Sequence, residues 1–283
     1  MGRFRLIQKL ILTGYRGFVG SNLVSRLKSR EIPFILYDFS IDAEVVAKQY
    51  GSNSIFIHLA DPNSSTFSLQ RSKEIERNLY KFAEIFESNF YYVSSSLVYC
   101  RDGNIPKKTS DSVCSESQYT DLKINRENMI QNFGGNILRI GNVYGLGMSA
   151  ETIIGKISLS ILKNSHFDSS YNPTRDFVYL EDILDAFVKL RELGSPKSKI
   201  YNIGSGVGTS VSELYELCAN VLENKNDVKT TWNNVDFPDA RLSLDKIVLD
   251  ISSKNTLTGW KPKHSLEENI GPVINDLLER FDK

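Results

Sequence analysis

The 283-residue chain has little of what marks a specialised environment. Its three cysteines, Cys100, Cys114 and Cys218, are an odd number with neither CxxC nor Cys/His spacing. That pattern argues against a disulfide framework or a zinc site and fits a reducing cytoplasm. His166 and His264 have no partner pattern, and no metal is expected. There is no excess of charge: 34 Lys and Arg stand against 34 Asp and Glu, so no basic field is available to hold nucleic acid. No apolar run approaches the length of a membrane span, and no membrane partner is expected. The opening MGRFRLIQKLILTG is basic and then apolar, like a signal peptide. Gln8 and Lys9 interrupt it, however, and it runs directly into a glycine turn, so it reads as a first strand with its leader. Repeats, low-complexity tracts and Pro/Gly/Ser linkers are also missing. What remains is 41% hydrophobic and 24% charged, the composition of a soluble globular protein with one large or two modest domains.

Strand-like and helix-like stretches alternate. Strands are expected at 8–12, 34–38, 54–59, 90–94 and 136–140, with helices at 18–29, 43–50, 68–87 and 118–132. Such alternation builds βαβ units, hence an α/β fold with a doubly wound parallel sheet. After about Tyr144 the pattern loosens. Strands at 175–179 and 199–203 and helices at 180–193 and 210–222 are expected there, with a smaller second lobe. The cofactor part is expected at 1–144, with 175–203 contributing strand and helix. The substrate lobe is expected at 145–174 and 204–283.

The stretch ILTGYRGFVGSNL spaces Gly14, Gly17 and Gly20 three apart between an apolar run and an amphipathic one. A buried strand turning sharply into a helix needs glycine for the tight backbone, and the new helix's free N–H groups favour a pyrophosphate. Gly14, Arg16, Gly17, Phe18 and Val19 are therefore candidate cofactor contacts. Asp38 follows Gly20 by 18 residues, near the offset of an acid that holds an adenosine ribose and repels a 2′-phosphate, which favours NAD. Arg16 pulls the other way, since a guanidinium in the turn suits the 2′-phosphate of NADP. Strand three ends in IHLADP. Its His58 follows an apolar run and reads as a packing histidine, while Leu59 and Ala60 place small apolar groups beside the cofactor.

YVSSSLVYC followed by QYTDLK carries the local chemistry. Tyr119 and Lys123 lie four apart on one face of a helix. A phenol is a poor base at neutral pH, and a nearby ammonium stabilises its anion. The lysine also suits a hydrogen bond to a nicotinamide ribose. A serine at the end of strand four would polarise the same substrate oxygen. Together these groups move a proton to or from a carbinol oxygen while hydride exchanges with a nicotinamide.

With TGYRGFVG, HLA, SSSLVY, YTDLK, RIGNVYG, RDFVYLEDI, YNIGSG and LDISSKNTLTGWKP in order, the chain resembles the extended short-chain dehydrogenases/reductases of the nucleotide-sugar epimerase/dehydratase family nearly end to end. The resemblance implies a Rossmann domain binding NAD or NADP and a C-terminal lobe binding a nucleoside-diphosphate sugar. It assigns the catalytic hydroxyl to Ser95, beside Tyr119 and Lys123, and makes Ser96, Asn142, Arg175 and Arg241 substrate contacts. Tyr99 and Tyr144 read as packing or pocket-wall residues. The 4,6-dehydratases of this family carry Asp and Glu where this chain has Ser96 and Leu97, so dehydration is not expected. Leu122 replaces the usual Ser before the lysine, and Asp61-Pro62 replaces a small residue after HLA.

Three activities follow from the resemblance. Reduction of an NDP-4-keto-6-deoxyhexose for surface polysaccharide is favoured by the short 145–175 span and by the short chain. Sugar 4-epimerisation with tightly held NAD is the alternative, and a non-catalytic sensor or scaffold is the third. A homodimer is expected through helices 68–87 and 118–132, with Phe82, Ile85, Phe86, Met129, Ile130 and Phe133 either pairing across it or packing on their own sheet.

Overall fold

The computed structural model describes residues 9–38, 41–51, 54–61, 69–101, 103–163, 165–168, 170–193, 196, 199–226, 237–239 and 245–281. The elements of the first part are β1 (Lys9–Thr13), α1 (Phe18–Ser29), β2 (Phe34–Leu36), α2 (Ala43–Tyr50), β3 (Ser54–His58), α3 (Leu69–Phe86), β4 (Phe90–Ser95), α4 (Gln118–Asn132) and β5 (Asn136–Ile140). There follow β6 (Asn142–Tyr144), α5 (Ile153–Leu162), β7 (Thr174–Tyr179), α6 (Leu180–Lys189), β8 (Ile200–Ile203), β9 (Gly208–Ser210), α7 (Val211–Asn226), β10 (Lys246–Ile247) and α8 (Leu266–Phe281).

Six strands form a parallel sheet in the order β2-β1-β3-β4-β5-β8. Every residue of β3 and β5 is buried, as strands covered on both faces require, with the apolar runs Ile55–Ile57 and Ile137–Leu138 at their centres. Successive side chains go to opposite sides. Leu10, Leu12, Ile55 and Ile57 pack with Leu23 and Leu27 of α1 and Phe187 of α6. Ile11 and Phe56 pack with Val46 of α2, Phe82 of α3 and Ile130 of α4. This is the doubly wound α/β architecture expected from the alternation. β2 stops at Leu36, two residues short of the expected end. Tyr37 N–H still donates to Leu12 O at 2.9 Å.

A second sheet runs β10-β7-β6, parallel, with β9 antiparallel beside β7. Leu214 of α7, Ile154 and Ile157 of α5 and Ile274 of α8 form the core against it. The strand expected at 175–179 thus belongs to this sheet, whereas β8 and α6 join the six-stranded one. Buried Asp176 ties the lobes' loops to β7. It accepts hydrogen bonds from Ser205 N and Oγ, both at 2.7 Å, from Gly206 N at 3.0 Å and from Leu249 N at 3.1 Å.

Of the apolar residues considered for a dimer face, Phe82, Phe86 and Ile130 are buried in the chain's own core, while Ile85 and Phe133 stay 37% and 36% exposed. No helix among the described residues is long and apolar enough to cross a membrane.

The cysteine reading needs correction, because Cys100 and Cys114 form a disulfide with Cα atoms 4.8 Å apart. An antiparallel bridge between Tyr99 and Val113 brings them together, with Cys100 N donating to Ser112 O and Cys114 N to Val98 O. A 14-residue separation carried no sequence signal of this pairing. The expectation of a reducing cytoplasm loses its support accordingly. Cys218 is free, and burial pushes its thiol up to about 12. Purified without reductant and denatured, the chain should therefore alkylate once by intact mass, and three times after reduction; three additions without reductant would contradict the pairing.

Candidate functional site

Strand order reverses between β1 and β3, and their carboxyl ends lie side by side, with Thr13 in register with His58. A crevice at such a reversal is where doubly wound sheets take their ligands. Gly14 has φ +70°, and a Cβ there would lie 2.4 Å from Leu59 C and 2.7 Å from Ala60 N. Only glycine permits this backbone-to-backbone approach. A Cβ on Gly20 would fall 2.2 Å from Gly14 O, so that position closes the turn against α1. Gly17 N–H donates to Gly14 O at 3.0 Å, and Gly17 caps α1 without any side-chain acceptor for the helix. The first-turn N–H groups and the positive helix end are thus left for an anion. The residues present fit a dinucleotide pyrophosphate. Phe18 and Val19 are half-buried against the core. Asp38 is exposed just past β2, and Arg16 is exposed with its guanidinium 5.1 Å from the Tyr15 ring centroid.

On the other side of the crevice, Ser117 and Thr120 form a capping box that starts α4 beside Tyr119. Tyr119 is half-buried, and the Lys123 Nζ lies 5.7 Å from its ring centroid. The expected shared face is therefore present. Ser95 ends β4, and its Oγ accepts from Leu97 N at 3.2 Å. Ser96 is buried. Next to Ser95, the Ser94 hydroxyl donates to Glu127, which is itself held by Arg139 through Nη2–Oε2 at 2.7 Å. All three are buried.

Lys123 is not isolated. Its Nζ donates to Val93 O at 3.0 Å, tying α4 to β4 two residues before Ser95, and to Asp61 Oδ2 at 3.0 Å. Asp61, 4% exposed at the side chain, also accepts from Arg126 Nη1 and the Tyr92 hydroxyl. His58 Nε2 lies 3.3 Å from Asp61 Oδ1, and its Nδ1 is 2.9 Å from Thr13 Oγ1. Burial works to raise the Asp61 carboxyl, but Lys123, His58 and Arg126 together hold it well below the usual carboxylate range. Burial pushes His58 below its ordinary value against the pull of Asp61, which leaves a neutral imidazole near pH 7. The packing role expected of His58 agrees with this, with its ring stacked on Tyr92.

Among the expected substrate contacts, Asn142 opens β6 and is half-buried. Arg175 is already engaged. Its Nη2 donates to Asp245 Oδ2 at 2.9 Å and its Nη1 to the carbonyls of Thr174 and Asp245. Burial, followed by the nearby Arg101, lowers Arg175 to about 10. Arg101 joins the cluster through Asp245 and Glu116 and donates to the Tyr171 hydroxyl at 3.2 Å. Arg241 lies outside the described residues. Tyr99 and Tyr144 are buried, their hydroxyls donating to Asn202 Oδ1 at 2.6 Å and Ser265 O at 2.9 Å.

The sequence reading missed Arg126, Arg101 and Asp245, and took Asp61 only as a departure from a pattern. A charged residue directly after an apolar strand was the available signal for Asp61. For Arg126 it was a three-residue step from Lys123 on the same helix.

The model of the NAD dependent epimerase/dehydratase family matches residues 10–204. A bovine dTDP-D-glucose 4,6-dehydratase is 29% identical over 203 residues, which cover 68% of this chain. The match spans 56% of that relative's length, little more than half of it. An Escherichia coli dTDP-4-dehydro-6-deoxyglucose reductase is 22% identical across 95% of this chain and 97% of its own. The crystal structure of a UDP-glucose 4-epimerase with UDP-glucose from Thermotoga maritima superposes with a TM-score of 0.74 at 21% identity, covering 97% of this chain and all of that one. This last likeness is one of fold.

The Glu127–Arg139 pair makes a stability prediction. Glu127→Ala leaves a buried guanidinium uncompensated and should cost about 3–5 kcal/mol in chemical denaturation; a loss below about 1 kcal/mol would mean the pair is wet.

Proposed function

We propose that this chain, which belongs to the NAD-dependent epimerase/dehydratase family, reduces the C4 ketone of a nucleoside-diphosphate 4-keto-6-deoxyhexose on the way to surface-polysaccharide sugars. The observation that carries the reading is the Tyr119–Lys123 pair beside the end of β4, where Ser96 and Leu97 follow Ser95 in place of the Asp and Glu of the dehydratases. Similarity to the Escherichia coli reductase over nearly the whole of both chains supports it. The 4-epimerase reading is kept by the fold likeness to the Thermotoga maritima enzyme.

In this reading residues 1–144, with 180–203, hold the cofactor, and 145–179 with 204–283 hold the sugar nucleotide. Bound nicotinamide supplies the hydride. The Ser95 hydroxyl and the Tyr119 phenol hydrogen-bond the ketone oxygen, and the Tyr119 proton passes to it as negative charge builds there. Lys123 offsets the phenolate left behind. Asp38 accepts from the adenosine ribose and favours NADH, and Arg16 leaves NADPH admissible. Asn142, Ser96, Arg175 and Arg241 contact the sugar diphosphate, with the diphosphate competing against Asp245 for Arg175. Among the described residues, a homodimer through α3 and α4 would draw on Tyr80, Ile85 and Phe133 as exposed apolar surface; sedimentation as a monomer at micromolar concentration would remove it.

The test follows nicotinamide absorbance while the protein meets NDP-4-keto-6-deoxyhexoses with NADH or NADPH. Oxidation is expected, faster with NADH, and Tyr119→Phe should lower kcat by about 100-fold or more. Inversion at C4 of an ordinary NDP-hexose without added reductant would replace reductase by epimerase. Unchanged biological activity in Tyr119→Phe would instead support a sensor or scaffold.

A further inference from the structure

The Asp61 cluster is more than the reaction above requires. A lysine serving a phenol and a ribose needs no buried carboxylate, and burying one is costly unless it is well paired. Here three segments far apart in sequence contribute to one charge knot. The loop after β3 brings Asp61, β4 brings Tyr92 and the Val93 carbonyl, and α4 brings Lys123 and Arg126. Lys123 and Arg126 are 4% and 1% exposed. The ammonium has three donors, and two are used on Asp61 and Val93 O. These anchors restrict a long, flexible side chain to one place beneath Tyr92, whose ring centroid is 4.9 Å from Nζ. The third donor is left for a ligand.

The charges balance in a specific way. Lys123 and Arg126 contribute two positive charges and Asp61 one negative, and burial disfavours the charged form of His58. Among the described residues, the other titratable groups facing the knot are Tyr92 and Tyr119, and Tyr80 with Glu76 on α3. Among the buried ion-paired groups Lys123, Arg126 and Asp61 the sum is one positive charge, while Glu76 pairs with Tyr80 nearer the helix surface. Removing the Asp61 charge makes the site one unit more positive.

We propose that Asp61 is a positioning residue that anchors Lys123 and, by cancelling one of two buried cations, sets the preference of the site between oxidised and reduced nicotinamide. The inference rests on the cofactor reading given under the proposed function. The oxidised ring carries a positive charge and the reduced ring does not. An uncompensated cation beside it penalises only the oxidised form, because a neutral ring has no net charge to repel. The carboxylate thus keeps the oxidised product from being expelled too strongly, and keeps hydride transfer near balance on the protein.

The experiment measures dissociation constants of NAD+ and NADH for the purified free protein, by calorimetry and by NADH fluorescence. In Asp61→Asn, an isosteric change that keeps an acceptor for Lys123, the ratio of the NAD+ constant to the NADH constant should rise about tenfold. Asp61→Asn with Arg126→Gln restores the wild-type net charge and should bring the ratio back to within about threefold of the wild-type value. A merely structural role moves both constants together, or only the melting temperature, and leaves the ratio alone; an unchanged ratio in folded Asp61→Asn would overturn the proposal. Should Asp61→Asn not fold, Arg126→Gln against the double variant makes the same comparison, with the lower ratio expected in Arg126→Gln and equal ratios overturning the proposal. If the wild-type protein binds neither nucleotide, the cofactor reading itself fails and this inference falls with it.

Discussion

The backbone of Gly14 lies against the backbone of Leu59 and Ala60, and the rest of the site depends on that contact. It holds the carboxyl ends of β1 and β3 together at the point where strand order reverses. On one side it launches α1 with its first-turn N–H groups uncapped by any side chain. On the other it fixes the chain at Ala60, so that the next residue, Asp61, enters the buried space under α4. One close approach thus positions both an anion-favouring helix end and the carboxylate that anchors Lys123. A methyl group on Gly14 would press on both, which is a steric constraint and not a matter of local flexibility.

The second constraint is the polar face of α4. Its buried residues are Thr120, Lys123, Arg126, Glu127 and Ile130, spaced as one helical face yet mostly charged or polar. Each charge has a partner, although two cations share one carboxylate. Asp61 answers Lys123 and Arg126, and Arg139 answers Glu127. Buried pairs of this kind give little net stability, but they tolerate no missing partner. Their effect is to register α4 against β4, since Glu127 takes the Ser94 hydroxyl while Lys123 takes the Val93 carbonyl. The serine at the end of the strand and the tyrosine at the start of the helix are held on one frame.

These features also explain what could be read in advance. The glycine spacing, the apolar strands and the Tyr-x-x-x-Lys step are local patterns, and local patterns survive in a sequence. The doubly wound sheet followed from them. The buried face of α4 could not be read, because amphipathic reasoning assigns Lys123, Arg126 and Glu127 to solvent. The Cys100–Cys114 disulfide depends on an irregular bridge between Tyr99 and Val113 that no periodicity announces. Arg175 was named by the resemblance as a substrate contact, but its engagement by Asp245 was not legible, since that carboxylate lies 70 residues on, just before β10.

The most direct test of a nicotinamide-dinucleotide site at this crevice is hydrogen–deuterium exchange with and without saturating NADH. With a dinucleotide in the crevice, exchange slows at the first turn of α1 around Gly17 to Gly20, at Leu59 to Asp61 and along α4 from Tyr119 to Arg126. Binding that leaves these segments unchanged and protects the chain elsewhere would contradict it.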